Sequence, residues 1–143
     1  MRKTIAIVIG CIALCGLVMA AMRAVPPPKN NLITINGAFE TGGVDQPWFV
    51  LSKKGKETVQ WKNATTVPCT VSFAFGGQSS PFDVEPIPPV NGNGGVSDQY
   101  AANKAPDPPK DWEKTKPNDV YIVYKYSVKC GSTTFDPGGG IKP

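Results

Sequence analysis

The sequence predicts an all-β sandwich of about seven short strands, preceded by an N-terminal signal or anchor helix. Three observations carry that prediction. Large side chains recur with period two in Val71, Phe73 and Phe75 and again from Val120 to Val128. Glycine, proline and asparagine clusters punctuate the chain between these runs. No helical period, internal repeat or coiled-coil heptad is evident in the body of the 143 residues.

Met1 to Met22 reads as an export signal. Arg2 and Lys3 supply a positive start, Thr4 to Met19 is almost wholly apolar, and Ala20 and Ala21 are small. Removal of residues 1–20 is expected, which places the product in the periplasm or outside the cell. The apolar run is also close to the roughly 20 residues that span a bilayer, so a membrane anchor formed by residues 4–22 is the alternative. Cys11 follows Val8-Ile9-Gly10 in lipoprotein-like order, but too few residues separate it from Lys3 to form an apolar core. Cys11 and Cys15 are therefore read as apolar members of the signal. Losing Arg2 and Lys3 lowers the formal charge from +4 to +2, too mild a balance to imply nucleic-acid binding. Membrane contact is expected only if the N-terminal segment is uncleaved.

Residues 21–31, with Pro26-Pro27-Pro28, form a stiff Pro-rich spacer. The folded domain is expected over 32–143. Leu32, Ile33, Ile35 and Phe39 make a strand-like segment that ends at the Gly42-Gly43 turn. Strands follow at Pro47 to Ser52 and Thr58 to Trp61, joined by a turn at Lys53-Lys54-Gly55-Lys56. A loop from Asn63 to Val67 leads into a strand over Thr70 to Phe75, with Val71, Phe73 and Phe75 on one buried face. Residues 76–118 are a Pro/Gly-rich insertion, in which Phe82 to Val84 and Val96 to Tyr100 are the best strand candidates. The strongest element is Val120 to Val128, placing Val120, Ile122, Tyr124, Tyr126 and Val128 on a common face. Cys130-Gly131 turns the chain into a short strand at Thr133 to Phe135. Asp136-Pro137-Gly138-Gly139-Gly140 reads as another turn, and Ile141 begins a stub that runs to Pro143.

The chain lacks histidine, which excludes Ser-His-Asp and Cys-His catalysis and histidine-ligated zinc. No phosphate-binding glycine loop follows a strand, since Gly92 to Gly95 lacks the lysine and helix that such a loop requires. Cys69 and Cys130 are an even pair in an exported chain and are expected to form one disulfide. Two carboxylate pairs, Asp83 with Glu85 and Asp111 with Glu113, have the spacing of an acid and a base on an extended strand. In Pro-rich loops they are better read as solvated charges. Asn63-Ala64-Thr65 matches a glycosylation acceptor but reads better as a turn. Trp48 and Trp112 form the candidate binding surface for a protein or glycan partner, with burial of Trp112 over the open end of the sandwich as its alternative.

The order V-x-W-x-N, a short loop, then P-C-x-V-x-F across Val59 to Phe73 resembles the amicyanin and plastocyanin group of small blue-copper proteins, the cupredoxins. In that family the residue after the loop proline is a copper-binding histidine, a position held here by Cys69. Tyr124-x-Tyr126 followed by Cys130 resembles the strand leading to the family's C-terminal cysteine ligand, but no histidine or methionine follows. The resemblance is close over Val59 to Phe75 and loose over Val120 to Ile141. It implies a Greek-key β-sandwich and an extracytoplasmic setting, with Cys69 and Cys130 bonded near the place of the metal. It does not bring copper, because a blue-copper site needs two imidazoles and a thiolate. No metal or other cofactor is expected. The expected function is that of a non-catalytic, metal-free cupredoxin-like module with a structural or binding role. A copper-handling or electron-transfer protein and a small enzyme using the loop carboxylates are the alternatives.

Overall fold

A computed structural model describes residues 26–143, so the expected signal over 1–20 and the first half of the spacer lie outside the described residues. The domain's regular secondary structure is almost entirely strand. These are β1 (Asn30–Ile35), β2 (Trp48–Ser52), β3 (Thr58–Asn63), β4 (Cys69–Ser72), β5 (Ile87–Val90), β6 (Gly95–Val96), β7 (Tyr100–Ala101), β8 (Ile122–Lys125), β9 (Ser127–Cys130), β10 (Thr133–Phe135) and β11 (Gly138–Lys142). Phe39–Thr41 forms a single 3-10 turn and Trp112–Thr115 one short helix, α1.

β1 pairs in parallel with β3, whose other edge takes up β6 and β7. The free edge of β1 is covered by the segment 43–46 rather than by a full strand, through an isolated bridge between Ile35 and Val44, the Asp45 N–H donating to the Thr34 carbonyl at 2.9 Å, and two side chains. Asp45 accepts the Thr34 N–H on Oδ1 at 2.7 Å, and Gln46 donates Nε2 to the Leu32 carbonyl at 2.9 Å. An edge whose donors and acceptors are filled in this way is a poor template for another chain. β10, β9, β4 and β5 make a second sheet, while β2, β11 and β8 make a third, with β2 and β11 parallel.

The last two sheets share one bent hairpin. Val120 to Val128 was expected to be one strand, yet β8 pairs with β11 whereas β9 pairs with β4 and β10. The break falls at Tyr126, whose N–H donates to the Pro137 carbonyl at 3.1 Å, so both arms bend together and the ladder continues through the corner. Eleven strand segments among the described residues replace the expected seven, partly because of this corner.

The glycine run Gly138 to Gly140 was expected to be a turn and is instead part of β11, the middle strand of its sheet. None of the three glycines has positive φ, so conformational freedom does not explain them. Space does. A Cβ on Gly139 would lie 2.6 Å from the Phe49 ring, and one on Gly140 would lie 2.6 Å from Val120 Cγ1.

β4 also stops earlier than expected, at Ser72. The Glu85 carboxylate accepts the Phe73 N–H at 3.0 and 3.1 Å and binds the Ser72 hydroxyl, taking donors that a longer ladder would use. Phe75 consequently leaves the buried face and is exposed. In the 76–118 segment, Phe82 to Val84 are bends rather than a strand, although Phe82 is buried. The strand is Ile87–Val90, where Pro88 and Pro89 are tolerated because β5 lies at a sheet edge. The expected Val96 to Tyr100 strand is split at Ser97, whose N–H still donates to the Trp61 carbonyl at 2.9 Å while its carbonyl turns out of the ladder. Its Oγ accepts the Trp61 N–H at 3.0 Å, and its carbonyl accepts Gln60 Nε2 at 2.7 Å.

The layers close a β-sandwich-like arrangement on an aromatic core. Trp61 of β3 has the rings of Phe73, Phe82, Tyr100 and Tyr126 within 6.2 Å of its centroid. Phe73 stacks on Tyr126 at 4.9 Å. Ile33, Ile35, Val59, Val71, Val128 and Ile141 complete the packing, as period-two alternation requires.

Candidate functional site

The end of the domain where β3 stops and β4 begins gathers most of the resembling motif. Asn63 is fully buried there, and every hydrogen-bonding position of its side chain is used. Nδ2 donates to the Val67 and Val90 carbonyls, both at 2.8 Å, while Oδ1 accepts the Thr65 N–H at 2.9 Å and the Thr65 hydroxyl at 2.7 Å. The expected turn at Asn63 to Val67 is therefore an asparagine-closed turn that also clasps the end of β5. With its amide spent on two carbonyls, Asn63 is not presented as a glycosylation acceptor. Gly92 allows the next loop to sit against this turn, since a Cβ there would lie 2.6 Å from the Thr66 carbonyl carbon.

Cys69 and Cys130 stand directly opposite each other on antiparallel β4 and β9, with Cα atoms 4.2 Å apart. That is the close spacing of an antiparallel pair without mutual backbone hydrogen bonds. Their sulfurs are 2.00 Å apart and form a disulfide, as the even cysteine pair led one to expect. Thr65 Oγ1 lies 3.5 Å from Cys69 Sγ, so the bond and the Asn63 turn are one packed unit. Both sulfurs are consumed, which leaves this end without a free thiol. Among the described residues no three His, Cys, Asp or Glu side chains are grouped as a metal site.

The carboxylates of Asp83 and Glu85 do not converge. Asp83 Oδ2 accepts Asn103 Nδ2 at 2.8 Å, whereas Glu85 turns away to Ser72 and Phe73. Asp111 pairs with Lys114 at 3.1 Å, and the Glu113 side chain lies outside the described residues. Asp83 with Glu85 is thus a pair of separate structural acceptors, a role that their spacing alone did not reveal.

Trp48 and Trp112 occupy different settings. Trp48 opens β2 and is 47% exposed, with its ring lying over the backbone of β11. A Cβ on Gly138 would meet Trp48 Cζ3 at 2.9 Å, and one on Gly140 would meet Cζ2 at 3.3 Å. Residues paired across a ladder share a face, so Trp48, Gly138 and Lys125 lie side by side, next to Val50, Gly140 and Val123. The result is a flat apolar platform with an exposed indole, an exposed Val123 and a lysine at its margin. Sequence reasoning found Trp48 but missed the glycines that make it a platform. Trp112 is half-buried on α1, outside the core. Its Nε1 donates to the Asp119 carbonyl at 3.3 Å, and the Lys116 ammonium lies 4.8 Å from the ring centroid. Its own loop therefore occupies much of that indole.

Among the described residues two buried side-chain groups have no hydrogen-bond partner, the Trp61 indole N–H and the Tyr126 hydroxyl. Burial pushes the Tyr126 phenol far above its ordinary pKa. The nearby Trp61 N–H opposes that rise without reaching bonding geometry, and Asp45 adds to it.

Comparison with protein-family models, with curated proteins and with solved structures finds no match to this chain.

Proposed function

We propose that this chain is an exported cupredoxin-like Greek-key domain that does not use a metal, acting as a non-catalytic structural or binding module in the cell envelope or outside the cell. The observation that carries this reading is the bond between Cys69 and Cys130. The resemblance would place copper beside these two residues. Here their sulfurs are spent on each other, and the sequence holds no imidazole to supply the missing ligands. The parallel pairings of β1 with β3 and of β2 with β11 support a sandwich whose strands cross between layers. The disulfide supports an oxidising compartment. Among the described residues no helix is long and apolar enough to cross a membrane. A protein or glycan partner would meet the Trp48 platform, where an aromatic face is already held flat and partly desolvated.

Copper titration of the oxidised protein tests the central claim. The expected result is no stoichiometric uptake and no absorbance in the thiolate-to-copper charge-transfer region. A band saturating at one copper per chain overturns it.

A further inference from the structure

We propose that Asn91 is a modification site, converted to aspartate and isoaspartate through a cyclic imide with Gly92, and that the fold protects the other asparagines followed by glycine. The chain has three such steps, Asn36-Gly37, Asn91-Gly92 and Asn93-Gly94. Glycine in the second place leaves its amide nitrogen uncrowded, so all three are open to the reaction in an unfolded chain. The nitrogen attacks only after giving up its proton. A hydrogen bond from that N–H to a carbonyl holds the proton and turns the nitrogen away from the side chain. The Gly37 N–H donates to the Gly43 carbonyl at 3.1 Å, and Asn36 Oδ1 accepts the Ala38 N–H at 2.9 Å. The Gly94 N–H donates to the Asn63 carbonyl at 2.7 Å, and the Asn93 N–H to the Thr65 carbonyl at 2.6 Å. Asn91 is exposed, and among the described residues neither its side chain nor the Gly92 N–H has a hydrogen-bond partner.

In the first step the Gly92 nitrogen bonds to Asn91 Cγ, the Cγ–Nδ2 bond breaks, and ammonia leaves with the proton from the Gly92 N–H. Water then opens the ring and returns a proton to the Gly92 nitrogen, so that overall one water replaces one ammonia. Attack at Cγ gives aspartate. Attack at the main-chain carbonyl gives isoaspartate, whose main chain runs through Cβ and Cγ and is one atom longer. That longer link falls between two fixed points. The Val90 carbonyl accepts Asn63 Nδ2 at 2.8 Å, and Gly92 lies so close to Thr66 that a Cβ would be 2.6 Å from its carbonyl carbon. Isoaspartate at position 91 therefore pulls on the clasp between the ends of β3 and β5 and destabilises the disulfide end of the domain.

Ageing the oxidised protein at mildly alkaline pH is the test, read by peptide mapping with fragment masses that separate Asn91 from Asn93. One ordinary hydrogen bond supplies a factor of about fivefold, so Asn36 and Asn93 should each convert at least about fivefold more slowly than Asn91. In the reduced chain unfolded in guanidinium that protection is gone, and the three rates should agree within about twofold. The urea midpoint of the aged protein should fall in step with isoaspartate at position 91. Aged Asn91→Gln, whose longer side chain would have to close a larger ring, should keep its midpoint. Fresh Asn91→Asp, which carries the charge without the longer main chain, should keep it too. Conversion of native Asn91 no faster than that of Asn36 or Asn93 overturns the proposal. So does the same preference in the unfolded chain, because sequence rather than fold would then decide it. An equal loss of midpoint in aged Asn91→Gln or in fresh Asn91→Asp overturns the link to the clasp.

Discussion

The Asn63 amide donates to the Val90 carbonyl at 2.8 Å and so joins the end of β3 to the end of β5, 27 residues further along the chain. The same side chain closes its own turn through Thr65. Asn63→Ala removes both donors and both acceptor positions at a fully buried site. The Val90 carbonyl and the Thr65 N–H would lose their partner and the Val67 carbonyl would be left to the Thr65 hydroxyl at 3.0 Å, at a cost of about 3 to 5 kcal/mol. Asn63→Asp keeps the acceptor for Thr65 but turns a carboxylate toward two carbonyls, and should be no less damaging. Urea denaturation of the oxidised protein measures both. A loss of under about 0.5 kcal/mol for Asn63→Ala would show that the clasp is not holding these segments.

The disulfide spans 61 positions of sequence, and its removal relaxes the unfolded chain more than the folded one. On the chain-entropy model the bond contributes about 4 kcal/mol. Cys69→Ala with Cys130→Ala should therefore lower the urea midpoint and raise the m-value, because the unlinked chain exposes more surface. Coincident curves for the parent and the double variant would mean that the two thiols are not joined.

The two strands that the sequence placed most securely were those with clear alternation. Val71 and Phe73 are buried as expected, as are Tyr124, Tyr126 and Val128. Alternation reports which face of a strand is covered, and that depends on the local chain. Where a strand ends depends on distant side chains. Glu85 ends β4, and the Gln78 amide holds the Lys125 N–H and carbonyl at 3.1 and 2.8 Å along the edge of β8. Neither residue carries a local signal of that role. The cysteine pairing was legible because its logic is one of number and compartment. The Trp48 platform was only half legible. An exposed tryptophan can be suspected from sequence, but its support comes from glycines some 90 positions away that local propensity assigns to a turn.

Tyr126 makes stability sensitive to alkaline pH. Its folded-state pKa is raised above the ordinary value of 10.0 by burial, so the native state holds the phenolic proton after the unfolded chain has lost it. The associated stability is fully present below about pH 10 and declines as pH rises through the folded-state pKa. The slope from this group approaches about 1.4 kcal/mol per pH unit. Tyr126→Phe should flatten that decline. Because the hydroxyl has no hydrogen-bond partner, the same substitution should leave stability at neutral pH unchanged or raise it by about 1 kcal/mol. Denaturation midpoints at neutral and alkaline pH test both expectations, and a large loss at neutral pH would reveal a partner for the hydroxyl.

Gly139 tests why a glycine run sits in the middle strand of a sheet. Its backbone is extended, so alanine would be conformationally acceptable and, in an unoccupied setting, mildly stabilising. The setting is occupied. A Cβ would lie 2.6 Å from two atoms of the Phe49 ring, and Phe49 is held in turn against Phe73 and Tyr126 at 6.4 and 5.7 Å. Moving Phe49 aside disturbs the aromatic core, so Gly139→Ala should cost about 1 to 3 kcal/mol. Phe49→Leu should recover part of that loss in the double variant by opening room for the methyl group. If packing is the cause, the two substitutions will be strongly non-additive in a double-mutant cycle. Simple additivity would return the glycine to a backbone role, and β11 would then have to be strained in a way that its φ angles do not show.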